Sequence, residues 1–131
     1  GGLVILSVMS LVGALMRALP EVLKLARRDG PAKMDEVVRT GILPPEKDYG
    51  QGSEGIDITL PAKLYRWSEL ETLLARHGTI VAASGAGLLR GAPPEEPELR
   101  AFLARTEVAI AAEPGAISAG EHIVAVLRKD G

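Results

Sequence analysis

The chain opens on a run of apolar residues that predicts a complete β-strand. Leu3 to Val8 follows directly after Gly1-Gly2, with no polar lead-in and no earlier strand to pair with. A strand that is apolar on both faces belongs inside a sheet covered on both sides by helices. The rest of the chain does not obviously supply the strands that such a sheet needs. We therefore expect residues 1–131 to form the C-terminal part of a larger α/β protein.

The segment from Gly1 to Leu19 is apolar enough to resemble a signal peptide or a membrane span. A secretory signal needs a basic stretch before its apolar core, which is missing here. A membrane-spanning helix needs about 20 predominantly apolar residues. Ser7, Ser10 and Arg17 interrupt this stretch and Pro20 ends it, so we predict a strand followed by a helix and no membrane insertion.

The composition excludes several classes of protein. Fifteen Lys and Arg against 17 Asp and Glu give a net charge of −2, which is not the basic footprint of a nucleic-acid-binding protein. The absence of cysteine excludes a disulfide framework, a thiolate metal site and a cysteine nucleophile, and it fits a cytoplasmic protein. His77 and His122 lie far apart in the sequence, so we expect no histidine-rich metal site.

The first third of the chain predicts helices after the opening strand. Ser10 to Gly13 has the character of a turn, and apolar residues at helical spacing continue from Ala14 to Arg28. Pro20 lies inside that pattern, and it either kinks the helix or begins a second one. A short helix is predicted from Met34 to Thr40, with Gly41 as its C-cap.

The next segment is polar and rich in glycine and proline. We predict a flexible loop over residues 43–60, because loops of this length in compact domains are usually lids or disordered. Within it, Ile56, Ile58 and Leu60 alternate with polar residues and would form a short edge strand.

The second half predicts an alternation of helices and strands. Ser68-Glu69-Leu70-Glu71 fits the capping-box pattern, so Ser68 is predicted to cap a helix that ends near His77-Gly78. Thr79 to Ser84 predicts a strand, Glu98 to Ala112 a core or lid helix, and His122 to Lys129 the last strand. This order of elements is typical of an α/β fold.

Two stretches of the chain together resemble one known family. They are Gly1-Gly2-Leu3-Val4-Ile5-Leu6-Ser7-Val8-Met9-Ser10, and Leu64-Tyr65-Arg66-Trp67-Ser68-Glu69-Leu70-Glu71-Thr72-Leu73-Leu74-Ala75-Arg76-His77-Gly78, which precedes a strand. The pair resembles the C-terminal half of class I S-adenosylmethionine-dependent methyltransferases. In that family a fifth strand begins with Gly-Gly, a helix begins with Trp-Ser or Trp-Thr before the sixth strand, and an antiparallel seventh strand closes the sheet.

The resemblance implies a fold and an activity. The expected fold is the C-terminal half of a Rossmann-like sheet, with parallel strands plus an antiparallel last strand, helices on its faces and a lid-like insertion. The expected activity of the full-length protein is methyl transfer from S-adenosylmethionine to a small-molecule acceptor, without a metal. The family's glycine-rich cofactor loop lies upstream of Gly1, so this chain would supply the substrate side and be inactive alone.

A second glycine-rich stretch imitates a cofactor loop. Ser84-Gly85-Ala86-Gly87 follows a predicted strand, but a cofactor loop must also open a helix and precede an acidic residue at a second strand end. Gly91, Pro93 and Pro94 prevent an immediate helix. We interpret this stretch as a plain loop.

The fold class predicts where a substrate would bind. In open α/β sheets, ligands bind beyond the carboxyl ends of the parallel strands. That edge would carry Ser10 and, at the start of the next helix, Tyr65, Arg66 and Trp67, which we predict to bind the substrate. Glu121 and His122, at the start of an antiparallel last strand, would lie there too, and His122 is the candidate general base.

Each of these residues also has a simpler structural interpretation. Ser10 is a common turn former, Tyr65 a packing residue and Arg66 a solvated surface residue. Trp67 would pack beside a Ser68 cap, and His122 would be a hydrogen-bonded surface histidine.

The sequence leaves two other functions open. An exposed apolar first strand favours pairing between copies, so the alternative function is a non-catalytic interaction or oligomerisation module that forms a homodimer through that strand. A third candidate is another nucleotide-dependent α/β enzyme, because a fold does not determine a function. The sequence upstream of Gly1 would discriminate among them.

Overall fold

The computed structural model describes residues 1–49, 56–58, 61–89 and 91–130, which form a mixed α/β fold. Among these residues no helix is both long and apolar enough to cross a membrane. The helices are α1 (Leu11–Arg17), α2 (Leu19–Asp29), α3 (Pro31–Thr40), α4 (Trp67–Leu74), α5 (Pro97–Ile110) and α6 (Pro114–Ile117). The strands are β1 (Leu3–Met9), β2 (Ile42–Leu43), β3 (Glu46–Tyr49), β4 (Ile56–Ile58), β5 (Ala62–Lys63), β6 (Thr79–Ala86) and β7 (His122–Arg128).

The main sheet is built around the last strand. β7 pairs antiparallel with β1 on one side and with β6 on the other. His122 lies opposite Met9 and also opposite Ala86. The carboxyl ends of β1 and β6 therefore meet the start of β7 at one edge of the sheet, which we call the His122 edge.

This sheet differs from the predicted Rossmann-like arrangement. Within the part of the chain that the structure describes, no two neighbouring strands of the sheet are parallel. β1 and β6 run in the same direction, but β7 separates them. The antiparallel last strand was predicted correctly, whereas its place between the other two strands was not predicted, because the hydrophobic pattern of a strand does not specify its neighbours.

The hydrophobic core lies against one face of β7. Alternate residues of this strand are buried, as expected when successive side chains point to opposite faces. Leucines one helical turn apart on α4 pack onto that face. The buried cluster consists of Leu70, Leu74, Ile117, Ile123, Ala125 and Leu127.

β1 is more exposed than its sequence predicts. Leu3 is 63% exposed and Ile5 is 73% exposed, and these side chains lie on the sheet face opposite the core. In the described sheet β1 pairs with β7 alone, so its other backbone edge is unpaired. The prediction of burial on both faces is therefore wrong for this chain, because no described element covers the outer face or the outer edge of β1.

β1 leads directly into a helix rather than into the predicted turn at Ser10 to Gly13. α1 begins at Leu11 because the Ser10 hydroxyl accepts a hydrogen bond from the Gly13 N–H at 3.1 Å and so caps the helix. Pro20 lies in the first turn of α2, where its missing N–H breaks no helical hydrogen bond. Pro20 therefore lies at the beginning of a second helix, the second of the two predicted alternatives, and does not kink a single long helix.

α3 ends where the sequence predicts. Gly41 has a φ of 70°, the left-handed conformation that glycine adopts readily at a helix C-terminus. The helix starts earlier than predicted, at Pro31, which has the fixed φ that suits a first helical residue.

The segment predicted as a flexible loop over residues 43–60 contains one pair of strands and is bounded by a second pair. β3 pairs antiparallel with β4 within it, and β2 pairs antiparallel with β5 at its two ends. The strand predicted at Ile56 and Ile58 is present as β4, whereas Leu60 lies outside the described residues. The glycine and proline content of this segment obscured the strands, since each of them is only two to four residues long.

α4 and α5 differ from their predictions. Arg66 is the N-cap of α4 and no side chain caps that helix, so the predicted capping box at Ser68 is wrong. The chain is already held at Tyr65 by backbone hydrogen bonds to β1 and α1, which fix where the helix can begin. α5 was predicted as a core or lid helix; none of its residues is buried, which excludes the core role.

The contact between Gly13 and Gly120 gives a first prediction. A Cβ atom on Gly13 would collide with the Gly120 carbonyl oxygen. We expect Gly13→Ala to lower the free energy of unfolding by about 1–3 kcal/mol, the usual cost of overpacking. Gly115→Ala is the control, because a Cβ there meets open space. Urea denaturation measures both variants, and equal midpoints would contradict this packing.

Candidate functional site

Three segments that are distant in sequence meet at the His122 edge. The Tyr65 N–H donates to the Met9 carbonyl at 2.9 Å, and the Leu11 N–H donates to the Tyr65 carbonyl at 3.0 Å. The Ser10 N–H donates to the Glu121 carbonyl at 3.0 Å. These bonds place the start of α4 and the start of β7 beside the end of β1, as the sequence predicted. A role of these segments in substrate binding stays a prediction.

Ser10 has a structural role at this junction. It is fully buried, and its hydroxyl donates to the Ser118 carbonyl at 2.5 Å while it accepts from the Gly13 N–H. The hydroxyl therefore ties the end of β1 both to α1 and to the segment before β7. Its hydrogen-bonding capacity is largely used by the protein, which favours positioning over direct contact with a ligand.

Tyr65 is half-buried and packs against the hydrophobic core. The ammonium group of Lys63 lies 5.3 Å from the centre of its ring, within the range of a cation–π contact. The same ammonium donates to the Thr40 carbonyl at 2.6 Å and pairs with Glu69 at 2.8 Å. Lys63 thus links α3, Tyr65 and α4, a link that sequence reasoning missed because its partners lie in three separate elements.

Arg66 is directed toward α3. Its guanidinium donates to the carbonyl of Val38, and its side chain is half-buried. A cation near the C-terminus of a helix interacts favourably with the helix dipole. Arg66 therefore holds α3 against the start of α4, and binding of an anionic group by this residue stays a prediction.

Trp67 is the first residue of α4 and is half-buried against the core cluster. The predicted packing beside a Ser68 cap does not occur, because that cap is absent. Its contacts with the core favour a packing role.

His122 is half-buried and lies between the end of β1 and the end of β6. Its Nδ1 atom is 3.3 Å from the hydroxyl oxygen of Ser7, on the sheet face opposite the core. Because this face is open along β1, the imidazole is within reach of a ligand placed there.

Glu121, next to His122, forms an ion pair with Arg17 at the end of α1. Both side chains are about half exposed, so the pair contributes little to stability, as is usual for surface ion pairs. It does place a cation and a carboxylate beside His122. The charge pattern of the sequence gave no sign of this pairing, since its members are far apart along the chain.

A cavity of about 320 Å³ lies between α3 and the segment that follows it. Its walls are mostly apolar, with Val37 and Ile42 among them, and Lys33 and Glu36 supply charge. Small-molecule sites have this character, with volumes from about 300 Å³. Because Arg66 and Lys63 both bond to carbonyls of α3, the helix that forms this cavity is tied to the residues of the His122 edge.

Lys33 on this cavity also belongs to an ion cluster. Asp29 accepts hydrogen bonds from Arg28 at 2.7 and 2.8 Å and from Lys33 at 2.9 Å. These hydrogen bonds, first from Arg28 and then from Lys33, hold the pKa of Asp29 well below its usual range. The cluster fixes the turn between α2 and α3 and so helps to shape one wall of the cavity.

The glycine-rich turn after β6 does not fit a nucleotide cofactor. The N–H groups of Gly87 and Leu88 donate to the Glu107 carboxylate at 2.7 and 3.2 Å. The space beside Gly85 is filled by the carbonyl of Ala116. The chain's own groups occupy this turn. Ser84 to Ala86 belong to β6, so the interpretation of the whole stretch as a plain loop is wrong for these three residues.

No protein-family model matches this chain, and no curated protein matches it.

The buried hydroxyl of Ser10 gives the second prediction. Ser10→Ala should lower the free energy of unfolding by about 1–3 kcal/mol, because it removes a helix cap and leaves the Ser118 carbonyl without its donor. Ser7→Ala, at an exposed position of β1, should change it by less than about 0.5 kcal/mol. Thermal or urea unfolding of both variants measures the difference. A Ser10→Ala protein as stable as the Ser7→Ala protein would show that the hydroxyl does not hold this junction.

Proposed function

We propose that this chain forms the acceptor side of an S-adenosylmethionine-dependent methyltransferase of class I. The observation that carries the proposal is the convergence at the His122 edge of the ends of β1 and β6, the start of β7 and the approach to α4. The shared direction of β1 and β6, with the last strand running against them, supports it as well. The two stretches that resemble the family, Gly1 to Ser10 and Leu64 to Gly78, meet at this edge, where Ser10 and Tyr65 form an isolated parallel β-bridge.

The proposed reaction moves a methyl group from a sulfonium to a nucleophilic atom of the acceptor, and the cofactor would be held by residues outside this chain. Catalysis of such a step is largely positioning of the two reactants. The contribution of this chain would be a fixed wall against which the acceptor lies. Ser10, Tyr65, Arg66 and Trp67 would form that wall, Ser10 by fixing the backbone.

His122 is the residue that we propose as the general base. In the neutral tautomer whose Nδ1–H donates to the Ser7 hydroxyl oxygen, the lone pair of Nε2 is available for a proton from the acceptor. Its place at the meeting point of β1, β6 and β7 supports this role, since a base must lie within hydrogen-bond reach of the acceptor.

The acceptor that we propose is a small molecule. The cavity beside α3 has about the volume that such a ligand needs, and Arg66 and Lys63 connect it to the residues named above. The net charge of −2 and the scarcity of aromatic residues do not favour a nucleic acid.

Calorimetric titration of S-adenosylmethionine tests this function. We expect the full-length product of the gene to bind it and the 131-residue chain not to bind it, because the glycine-rich turn of this chain is filled by Glu107. ATP and NAD titrated in parallel serve as controls for a different nucleotide-dependent enzyme. A folded full-length protein that binds none of the three would contradict the proposal.

One observation favours a second function, that of an oligomerisation module. The outer edge of β1 is unpaired in the described sheet, and the strand is uncharged along its whole length and apolar except for Ser7. Edge strands are usually protected by charges, prolines or bulges, and β1 has none of these. A second copy could pair with it without bringing like charges together.

Sedimentation velocity of the 131-residue chain tests that second function. If β1 pairs between copies, the chain is a dimer, and Ile5→Lys converts it to a monomer because it places a charge in the apolar strand. Val108→Lys on α5 is the control, since Val108 is 78% exposed and lies on another element; it should remain a dimer. A wild-type monomer, or a dimer that Ile5→Lys leaves intact, would exclude pairing through β1.

A further inference from the structure

Three successive backbone N–H groups after β6 converge on one carboxylate. Gly87 and Leu88 donate to Oε1 of Glu107 at 2.7 and 3.2 Å, and Leu89 donates to Oε2 at 3.4 Å. Consecutive amides that face a common point form a concave site with affinity for anions. Hydrogen bonds to a charged acceptor are also stronger than those between neutral groups. This loop is therefore an anion site whose occupant comes from the same chain.

The conformation of the loop depends on Gly87. Its φ of 71° is in the left-handed region, which other residues adopt with strain. A Cβ atom at this position would lie 3.1 Å from the Cβ of Glu121, which is tighter than normal contact. Glycine thus allows the three N–H groups to turn toward Glu107 beside the start of β7.

Among the residues that the structure describes, few contacts other than those of Glu107 attach α5 to the sheet. None of its residues is buried, and its apolar side chains are turned largely to the outside; Phe102 is 54% exposed and Val108 is 78% exposed. Just beyond the helix, the Ala111 carbonyl accepts a hydrogen bond from the Gly85 N–H at 2.8 Å. Because little apolar surface of α5 is buried, the polar contacts of Glu107 and Ala111 contribute much of the described attachment of its C-terminal half.

A cavity of about 360 Å³ lies where α5 approaches β6. Ser84 and Ala86 line it from the strand, and Val108 and Ala111 from the helix side. Glu107 itself lines this cavity, so the carboxylate and its amides stand at the boundary between helix and sheet. Movement of α5 would open or remove this cavity.

We propose that the amides of Gly87, Leu88 and Leu89 form a carboxylate-binding site, and that Glu107 in this site is the latch that holds α5 against the end of β6. Glu107 is a positioning residue in this account. The latch does not depend on the methyltransferase proposal, since it concerns the attachment of one helix to the sheet.

Hydrogen exchange of the 131-residue chain tests the latch. In Glu107→Ala we expect the amides of Gly87 to Leu89 and of α5 to exchange about ten- to a hundredfold faster, as loss of hydrogen bonds to a charged group implies. Glu98→Ala, which removes a carboxylate from the exposed first turn of the same helix, should leave the amides of Gly87 to Leu89 protected. Unchanged exchange at these amides in Glu107→Ala would overturn the proposal.

Chemical rescue distinguishes a carboxylate site from general loosening. Sodium acetate should restore the protection of the Gly87 to Leu89 amides in Glu107→Ala, whereas sodium chloride at equal ionic strength should not. Equal effects of the two salts, or no effect of acetate, would overturn the assignment of a carboxylate site.

The amides of Ile123 and Ala125 show whether each variant is folded. They lie in the buried core and must keep their protection in each variant, which shows that the sheet is intact.

Glu107→Gln tests the charge of the side chain. It keeps the shape of the side chain and loses its charge, so we expect the amides of Gly87 to Leu89 to exchange faster than in the wild type but more slowly than in Glu107→Ala. Exchange as slow as that of the wild type in Glu107→Gln would show that the charge of Glu107 is not needed and would overturn the proposal.

Discussion

β7 pairs with both β1 and β6, and this pairing holds the two ends of the chain together. β1 comes from the beginning of the chain and β7 from its end, with Leu3 opposite Arg128 and Met9 opposite His122. β1 and β6 have no hydrogen bonds to one another and are joined through β7. The sheet therefore rests on contacts between residues far apart in sequence, which cost more chain entropy to form than local contacts. The same pairing creates the His122 edge, so the fold and the candidate site are assembled together.

Close approach of backbones is the second feature that makes this arrangement possible. Gly13 contacts the Gly120 carbonyl, and Gly85 contacts the Ala116 carbonyl, in each case where a side chain would collide. Both contacts bring the segment before β7 against elements that flank it. The buried hydroxyl of Ser10 then bonds to Ser118 in that same segment. The glycines thus allow the segment before β7 to come close to its neighbours, and the Ser10 hydroxyl holds it there by a hydrogen bond.

The sequence predicted most elements but not their neighbours. The apolar runs of β1, β6 and β7 and the end of α3 at Gly41 follow from local patterns, and all are present. The antiparallel direction of the last strand was implied by the family resemblance, and it is present too. The order of the strands was not predictable, because each strand has the same apolar character whichever strand it pairs with. The start of α4 was misjudged at Ser68 for a related reason, since backbone bonds of Tyr65 to Met9 and Leu11 decide where the helix begins.

As with the fold, the sequence predicted which segments meet at the candidate site but not the contacts between their side chains. The rule that strand ends meet at one edge brought Ser10, Tyr65 and His122 together from sequence alone. It did not reveal Lys63, Arg17 or Glu107, whose partners lie in other elements. Glu107 in particular has no local signal, because its role depends on the conformation of a loop 18 to 20 residues away.

We propose that the residues at the His122 edge form the acceptor side of a methyl-transfer site, and a crystal structure of the full-length gene product with S-adenosylhomocysteine would test this. We expect the sulfur of the ligand to lie at the edge where β1 and β6 end, facing His122. A ligand bound at the opposite edge, where Leu3 pairs with Arg128, would contradict it.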